Sequence, residues 1–262
     1  MPGPRYNSVQ TRIGKLVGPC LISLCLAAAI TPAAAYRPFD GTDAAVADTG
    51  KMEVELQPVG RLHDESGTTL IAPAVRLNYG FVKNWEVVVE GLMQSPLSPS
   101  GPSSLAAAGM FLKGVVRPGS LQDKTGPSIA TEFGVLLPDS FGDSGFGASA
   151  AWIVSQRWDW GAVHLNAATA LTREHHADVF LGAIFEGPSK WIVRPVAEIF
   201  YERDFGQFET KSALVGLIWQ VNEDLAVDVG VRHAITNLRP VNELRAGLTF
   251  GFPVWHNGIA HH

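Results

Sequence analysis

Residues 225–233, LAVDVGVRH, place Leu225, Val227, Val229 and Val231 on one face of an extended chain and Ala226, Asp228, Gly230 and Arg232 on the other. That period of two is the mark of a strand whose faces meet different surroundings. Similar runs fill the chain from residue 51 to Phe252, and strands are expected near 51–57, 69–81, 85–94, 104–117, 126–138, 148–157, 162–172, 178–187, 191–202, 210–220, 225–234 and 242–252. Most are as long as the about 9 to 11 residues of a tilted spanning strand. The predicted fold is all-β, a transmembrane antiparallel up-and-down β-barrel of about twelve strands over residues 51–252. A soluble sandwich also alternates, so the exterior has to separate the two.

The ends support export. Arg5, Arg12 and Lys15 precede an apolar run of 15 residues, 16–30, and Ala33, Ala34 and Ala35 follow as a small-residue cleavage site. A spanning helix needs roughly 20 apolar residues, so 1–35 reads as a cleaved signal peptide rather than an anchor. Cys20 and Cys25, the chain's two cysteines, both lie in it. The mature chain of 227 residues is therefore not a disulfide scaffold. It keeps 17 Lys and Arg against 25 Asp and Glu, a net charge of −8, which argues against nucleic acid as a partner. No later stretch approaches 18 consecutive apolar residues, which excludes a helical membrane protein. Residues 36–50, YRPFDGTDAAVADTG, lack periodicity and read as a periplasmic lead or a plug; 253–262 form a tail.

Short turns are expected at 82–84, 158–161, 188–190 and 222–224, and longer links at 95–103, 139–147, 173–177, 203–209 and 235–241. Short turns on one rim and longer loops on the other are the habit of outer-membrane barrels. The link 118–125, PGSLQDKT, breaks the rule. Trp85, Trp158 and Trp219 flank short turns, and on 191–202 the outward set is Trp191, Val193, Pro195, Ala197, Ile199 and Tyr201. Aromatics at both ends of a strand fit interfacial girdles, for which a sandwich has no use.

The inward set is charged in both signs. Its lumen-lining candidates are Glu86, Glu90, Lys113, Arg117, Glu132, Arg157, His164, Asn166, Arg194, Glu198, Glu202, Asp228, Arg232, Glu243 and Arg245, with Glu53, Glu55, Arg76 and Glu186 on the same face. On the lipid face an Arg or Lys would cost roughly 2 to 4 kcal/mol at mid-bilayer, whereas in a lumen it pairs or meets water. Such a set holds a barrel together by cross-pairing, or it lines a solute path.

Chemical motifs are sparse. Gly142-Asp143-Ser144-Gly145 looks like a serine-protease signature but sits in a glycine-rich link, and a triad needs a histidine held beside the serine. The glycines of 142–147 form no phosphate cradle, since no βαβ unit surrounds them. An outer-membrane lipid-modifying hydrolase would need a nucleophile or a metal-bound water prepared by histidine, for which His164 and Asn166 on an inward face and His175 and His176 in a loop are the candidates. His256, His261 and His262 match no metal-ligand spacing. No catalytic residue, cofactor or metal is assigned.

The segments RPFDGTDAAVADTG, EVELQPVG, LNYGFVKNWEVVVEG, HLNAATAL, VRPVAEIFYE, GLIWQVNEDLAVDVGVRH and LRAGLTFGF together resemble the bacterial outer-membrane β-barrel transporters related to the meta-pathway phenol-degradation outer-membrane proteins. The resemblance covers nearly all of the mature chain. It implies a porin-like channel or transporter in the outer membrane of a Gram-negative bacterium, passing small solutes, hydrophobic or aromatic ones among them. Its partners would be outer-membrane lipid, the barrel-assembly machinery and the small-molecule solute. Phe252 is followed by PVWHNGIAHH, whereas such barrels end on an aromatic. A lipid-modifying hydrolase and a structural or binding barrel without transport are the alternatives.

Overall fold

A computed structural model describes residues 37–140 and 144–254. The expected signal peptide, Gly142 and Asp143 of the GDSG tetrapeptide, and the tail histidines His256, His261 and His262 lie outside the described residues. The described residues form twelve strands: β1 Lys51–Asp64, β2 Gly67–Val82, β3 Trp85–Ser98, β4 Ser104–Arg117, β5 Ser128–Leu136, β6 Gly147–Trp158, β7 Gly161–Leu171, β8 Ala177–Glu186, β9 Val193–Asp204, β10 Phe208–Asn222, β11 Leu225–Thr236 and β12 Arg239–Pro253. Each pairs antiparallel with its sequence neighbours, and β1 closes on β12 through pairs from Lys51↔Pro253 to His63↔Asn242. An even strand count returns both ends of the barrel to one rim.

The distribution of side chains is inverted relative to a water-soluble protein. On β10 and β11, Val215, Leu217, Trp219, Val227, Val229 and Val231 are exposed, and Lys113, Glu86, Glu198, Asp228 and Arg245 are buried inside. A soluble monomer rarely exposes an apolar patch beyond about 600 Å². A continuous apolar belt on a closed sheet instead fits hydrocarbon, since closure leaves no unpaired backbone edge in it. Tryptophans mark one rim: Trp158 and Trp160 stack with centroids 5.0 Å apart beside the β6–β7 turn, with Trp191 and Trp219 exposed at neighbouring turns.

The strands differ from expectation mostly at the rim opposite the termini. There β1 and β3 run seven and four residues further, β12 three, and β9, β10 and β11 two each, so the links expected at 203–209 and 235–241 shrink to 205–207 and 237–238. Cross-strand pairs continue past the apolar belt there, as in Thr236↔Arg239, and polar sequence alone does not stop a hairpin. Val193 rather than Trp191 begins β9, which leaves Ile192, expected inward, largely exposed in the preceding turn.

The irregular link has a structural reason. Residues 118–127 contain a 3₁₀ turn, Ser120–Gln122, fastened by Ser120 N donating to Gly126 O and Leu121 N donating to Ser128 Oγ. It turns Leu121 inward against Ala44, Ala130 and Ile153. A tight turn at this place would leave that corner of the lumen unfilled.

Candidate functional site

The lumen is occupied by the chain's own lead. From β11 and β10, where Pro38 lies over Gly230 and Gly216, the segment crosses past β9, β7 and β6 to β3 and β2. Its backbone is held by side chains of the wall. Glu198 Oε2 accepts from Asp40 N at 2.8 Å and Oε1 from Gly41 N at 2.7 Å. Asn166 makes a reciprocal pair with Thr42, accepting its N–H at 3.0 Å and donating to its carbonyl at 2.9 Å. Ser155 Oγ accepts from Ala44 N at 2.9 Å, and Glu86 Oε2 from Ala47 N at 2.7 Å. An irregular segment in a barrel cannot satisfy its own N–H groups, so inward polar side chains complete them.

The lead's composition suits the fit. A Cβ on Gly41 would stand 3.1 Å from both Asn166 Nδ2 and Glu198 Oε1, and one on Gly80 of β2 would stand 2.3 Å from the carbonyls of Ala47 and Asp48. Two larger anchors flank the small residues: Phe39 packs on Val196, Ile218 and Ala226, and Ala44 sits in the Leu121 cluster. Side chains add charge pairs. Arg245 donates to Pro38 O at 2.7 Å and to Asp40 Oδ1 at 2.9 Å, Lys113 Nζ reaches Thr42 Oγ1 at 3.2 Å, and Arg37 lies 3.6 Å from Asp228.

The wall's remaining charges pair largely with one another. Arg76 bridges Glu90 at 2.7 Å and Glu132 at 2.6 Å, Lys113 stands 3.6 Å from Glu86, and Glu243 accepts from both Arg232 and Arg245 at 2.9 Å. Glu55 accepts from Asn78 at 2.9 Å, while Arg194 and His164 share Glu186 at 3.8 Å and 3.2 Å. Beside the lead a cavity of about 250 Å³ remains, lined among others by Asp40, Gln57, Arg76, Glu90 and Arg245. That is under the roughly 300 to 1,000 Å³ of pockets for drug-sized ligands.

Thirteen of the fifteen lumen-lining candidates fall on the inner face: Glu86, Glu90, Lys113, Glu132, His164, Asn166, Arg194, Glu198, Glu202, Asp228, Arg232, Glu243 and Arg245. Two do not reach the lumen. Arg117 and Arg157 have inward parity but lie exposed at the strand ends, Arg117 donating to Pro127 O and Thr125 O across the long link. Parity fixes the side of a sheet, not the depth. Two participants had no signal of their own in sequence: Ser155, one small polar residue among many, and Gln122, which donates to Ala44 O at 3.0 Å from inside a link.

One further constellation resembles hydrolytic machinery. Ser155 Oγ lies 2.8 Å from His164 Nδ1, and His164 Nε2 lies 3.2 Å from Glu186 Oε1. Ser155 is fully buried and its oxygen also accepts the lead's Ala44 N–H. His175 and His176, in the β7–β8 loop, are remote from it in the chain's layout, and His176 stands 3.4 Å from Asp204 instead.

Solved structures share this architecture. An outer membrane channel from Pseudomonas putida F1 superposes with a TM-score of 0.59 at 9% identity, over 79% of this chain and 97% of that one. The KdgM porin superposes with a TM-score of 0.53 at 10% identity, over 76% of this chain and 99% of that one; its complex with disordered oligogalacturonate gives 0.52 at 11%, with the same coverage. These likenesses are of fold. No protein-family model matches the chain, and no curated protein does.

Proposed function

We propose that this chain is an outer-membrane channel for small solutes, held closed by residues 37–50 and opened when that segment leaves the lumen. The observation that carries the reading is the lead itself, bound across the barrel through its backbone by Glu198, Asn166, Ser155 and Glu86. Stability alone would be served by a lumen filled with wall side chains; a separate segment seated by a handful of hydrogen bonds is a part that can move. The apolar belt and the tryptophan rim support a place in the outer membrane of a Gram-negative bacterium, reached through a cleaved signal peptide and the barrel-assembly machinery. The rim carrying both termini then faces the periplasm. The motif resemblance to the phenol-degradation outer-membrane proteins supports hydrophobic or aromatic solutes as the cargo.

Planar-bilayer recording of the refolded mature protein, with and without residues 37–50, tests this. Rare brief openings for the full chain and a steady conductance for the truncated one are expected. An inserted barrel silent in both forms would sink the channel reading.

A second reading rests on Ser155, His164 and Glu186. With the lead withdrawn, Ser155 Oγ would attack an ester carbonyl while His164 takes its proton; His164 would pass that proton to the departing alcohol, leaving an acyl-serine, and a water deprotonated by His164 would then release the acid and return the serine. Covalent labelling of Ser155 by a fluorophosphonate in the truncated barrel, lost in His164→Ala, would favour it. Absence of labelling leaves the constellation as a seat for the lead.

A further inference from the structure

At the rim opposite the termini, the charge pairing that orders the rest of the lumen fails at one place. Asp178 of β8 and Asp204 of β9 are direct cross-strand partners, and Glu202 lies two residues before Asp204 on the same inner face. Directly opposed residues place their Cβ atoms about 5 Å apart, so two carboxylates meet there with a third one step below. Among the described residues, the strand positions beside them supply no cation. Asp178 stands opposite Ala170 on β7, and Glu202 opposite Thr210 on β10. Arg203 and Lys211 belong to the outer face and pair with Glu209, Arg232 is committed to Glu243, and Arg173 to Asp139. Asp178 is 8% and Asp204 6% exposed, yet among the described residues Asp178 Oδ2 and Asp204 Oδ1 have no hydrogen-bond partner. The nearest basic group is His176 Nδ1 of the β7–β8 loop, 3.4 Å from Asp204 Oδ1 and more than a third exposed. Buried carboxylate oxygens that accept no hydrogen bond are costly unless something of opposite charge completes them.

The floor beneath them is aromatic. Phe180 and Phe200, on the same inner face, lie with ring centroids 5.1 Å apart, and the Arg232 guanidinium carbon stands 5.9 Å from the Phe200 centroid. Phe200 thus already accepts a cation over its face at the range where ring quadrupoles attract charge. Carboxylates above and aromatic rings below recognise one chemistry: a positively charged head on an apolar body.

We propose that Asp178, Glu202 and Asp204, over the Phe180–Phe200 pair, form a binding site for organic cations, alkyl or aromatic amines carrying a protonated nitrogen. The ammonium donates its N–H groups to the carboxylate oxygens that lack partners, and its apolar portion lies on the rings. The site deepens the channel reading by naming the charge class of solute that enters at this mouth. It rests on that reading for its role in transport, not for binding. It needs no movement of the lead, whose Asp40 is held by Glu198 and Arg245 rather than by Asp178 or Asp204.

Calorimetric titration of the full mature chain in detergent at neutral pH, with 2-phenylethylammonium, uncharged 2-phenylethanol and anionic phenylacetate, tests it. The amine is expected to bind at least tenfold more tightly than either isostere, and the paired change Asp178→Asn with Glu202→Gln is expected to remove that preference. The isosteric amides relieve like-charge repulsion, so these variants should fold; heat-dependent gel mobility verifies this, and Asp204→Asn alone gives a second reading of the same loss. Equal binding of the three compounds would overturn the site. So would an amine preference that survives the amide variants, or displacement of the amine by micromolar calcium, which would mark an inorganic-cation site. A chain that binds the amine but never conducts would overturn the channel and keep the site; one that conducts without preferring the amine would do the reverse.

Discussion

Glu198 holds the lead through two charge-assisted contacts, because its two oxygens take consecutive backbone N–H groups, those of Asp40 and Gly41. Hydrogen bonds to a charged acceptor contribute about 1.5 to 3 kcal/mol each in favourable settings. Water partly replaces them when the lead leaves, so the net change for Glu198→Ala is expected to be near 1.5 to 3 kcal/mol in total. That corresponds to roughly a ten- to hundredfold shift toward the open state, measurable as open probability in single-channel records. Lys113 makes a different test. It is fully buried 3.6 Å from Glu86 and donates to Thr42, so Lys113→Ala strands a buried carboxylate. Breaking such a pair costs about 3 to 5 kcal/mol, while replacing both partners by apolar groups of similar volume is often neutral. Lys113→Ala should therefore lower the temperature at which the barrel loses its folded gel mobility, and Lys113→Met combined with Glu86→Leu should recover most of the loss. Equal loss in the single and double variants would show that the stranded Glu86 carboxylate is not its cause.

Among the elements, the 118–127 link is the one whose role follows from its irregularity. Leu121 packs on Ala44 of the lead as well as on Ala130 and Ile153, Gln122 donates to Ala44 O, and the strand ladder closes without either residue. Changing both to alanine should loosen the lead while sparing the barrel. Maleimide labelling of an Ala44→Cys reporter should accelerate at least severalfold, with unchanged folded gel mobility; an unaltered rate would remove the link from the closing device. The same element marks where sequence stops being legible. The twelve strands announce themselves because each has to satisfy lipid on one face and a polar interior on the other, which forces a period of two on every run from β1 to β12. Glu198 and Asn166 are therefore readable as inward-facing, but their partners are backbone N–H groups of the lead, and a backbone donor has no letter in the sequence. Gly80 is legible only afterwards, as the place where a side chain would collide with Ala47 and Asp48. Arg117 and Arg157 erred for the opposite reason: periodicity continued past the membrane's edge, so parity kept counting where the lumen had ended.

At the scale of the whole molecule the decisive quantity is the sign of the charge that an emptied lumen presents. The inner face carries Glu53, Glu55, Glu86, Glu90, Glu132, Asp178, Glu186, Glu198, Glu202, Asp204, Asp228 and Glu243 against Arg76, Lys113, Arg194, Arg232 and Arg245. While the lead is in place, its N–H groups occupy Glu198 and Glu86, and Arg37 lies by Asp228. Removing residues 37–50 uncovers those carboxylates without uncovering a matching number of basic groups, since Arg76, Arg232 and Arg245 keep partners on the wall. A narrow pore with low-dielectric walls concentrates the field of such an excess and draws counter-ions into it. The truncated channel is therefore expected to select cations, with a reversal potential in a potassium chloride gradient displaced toward that of potassium, and more strongly at low ionic strength, where screening is weak. Neutralising Glu198 and Glu202 together, as glutamines, should move the reversal potential measurably back toward zero while leaving conductance within a factor of about two, because two lumen charges are lost, Glu198 among those the lead had covered, and the bore is unchanged. A reversal potential indifferent to the double change would place the conducting path elsewhere than past β9. An anion-selective pore would mean that the arginines, not the carboxylates, face the open bore once the lead has gone.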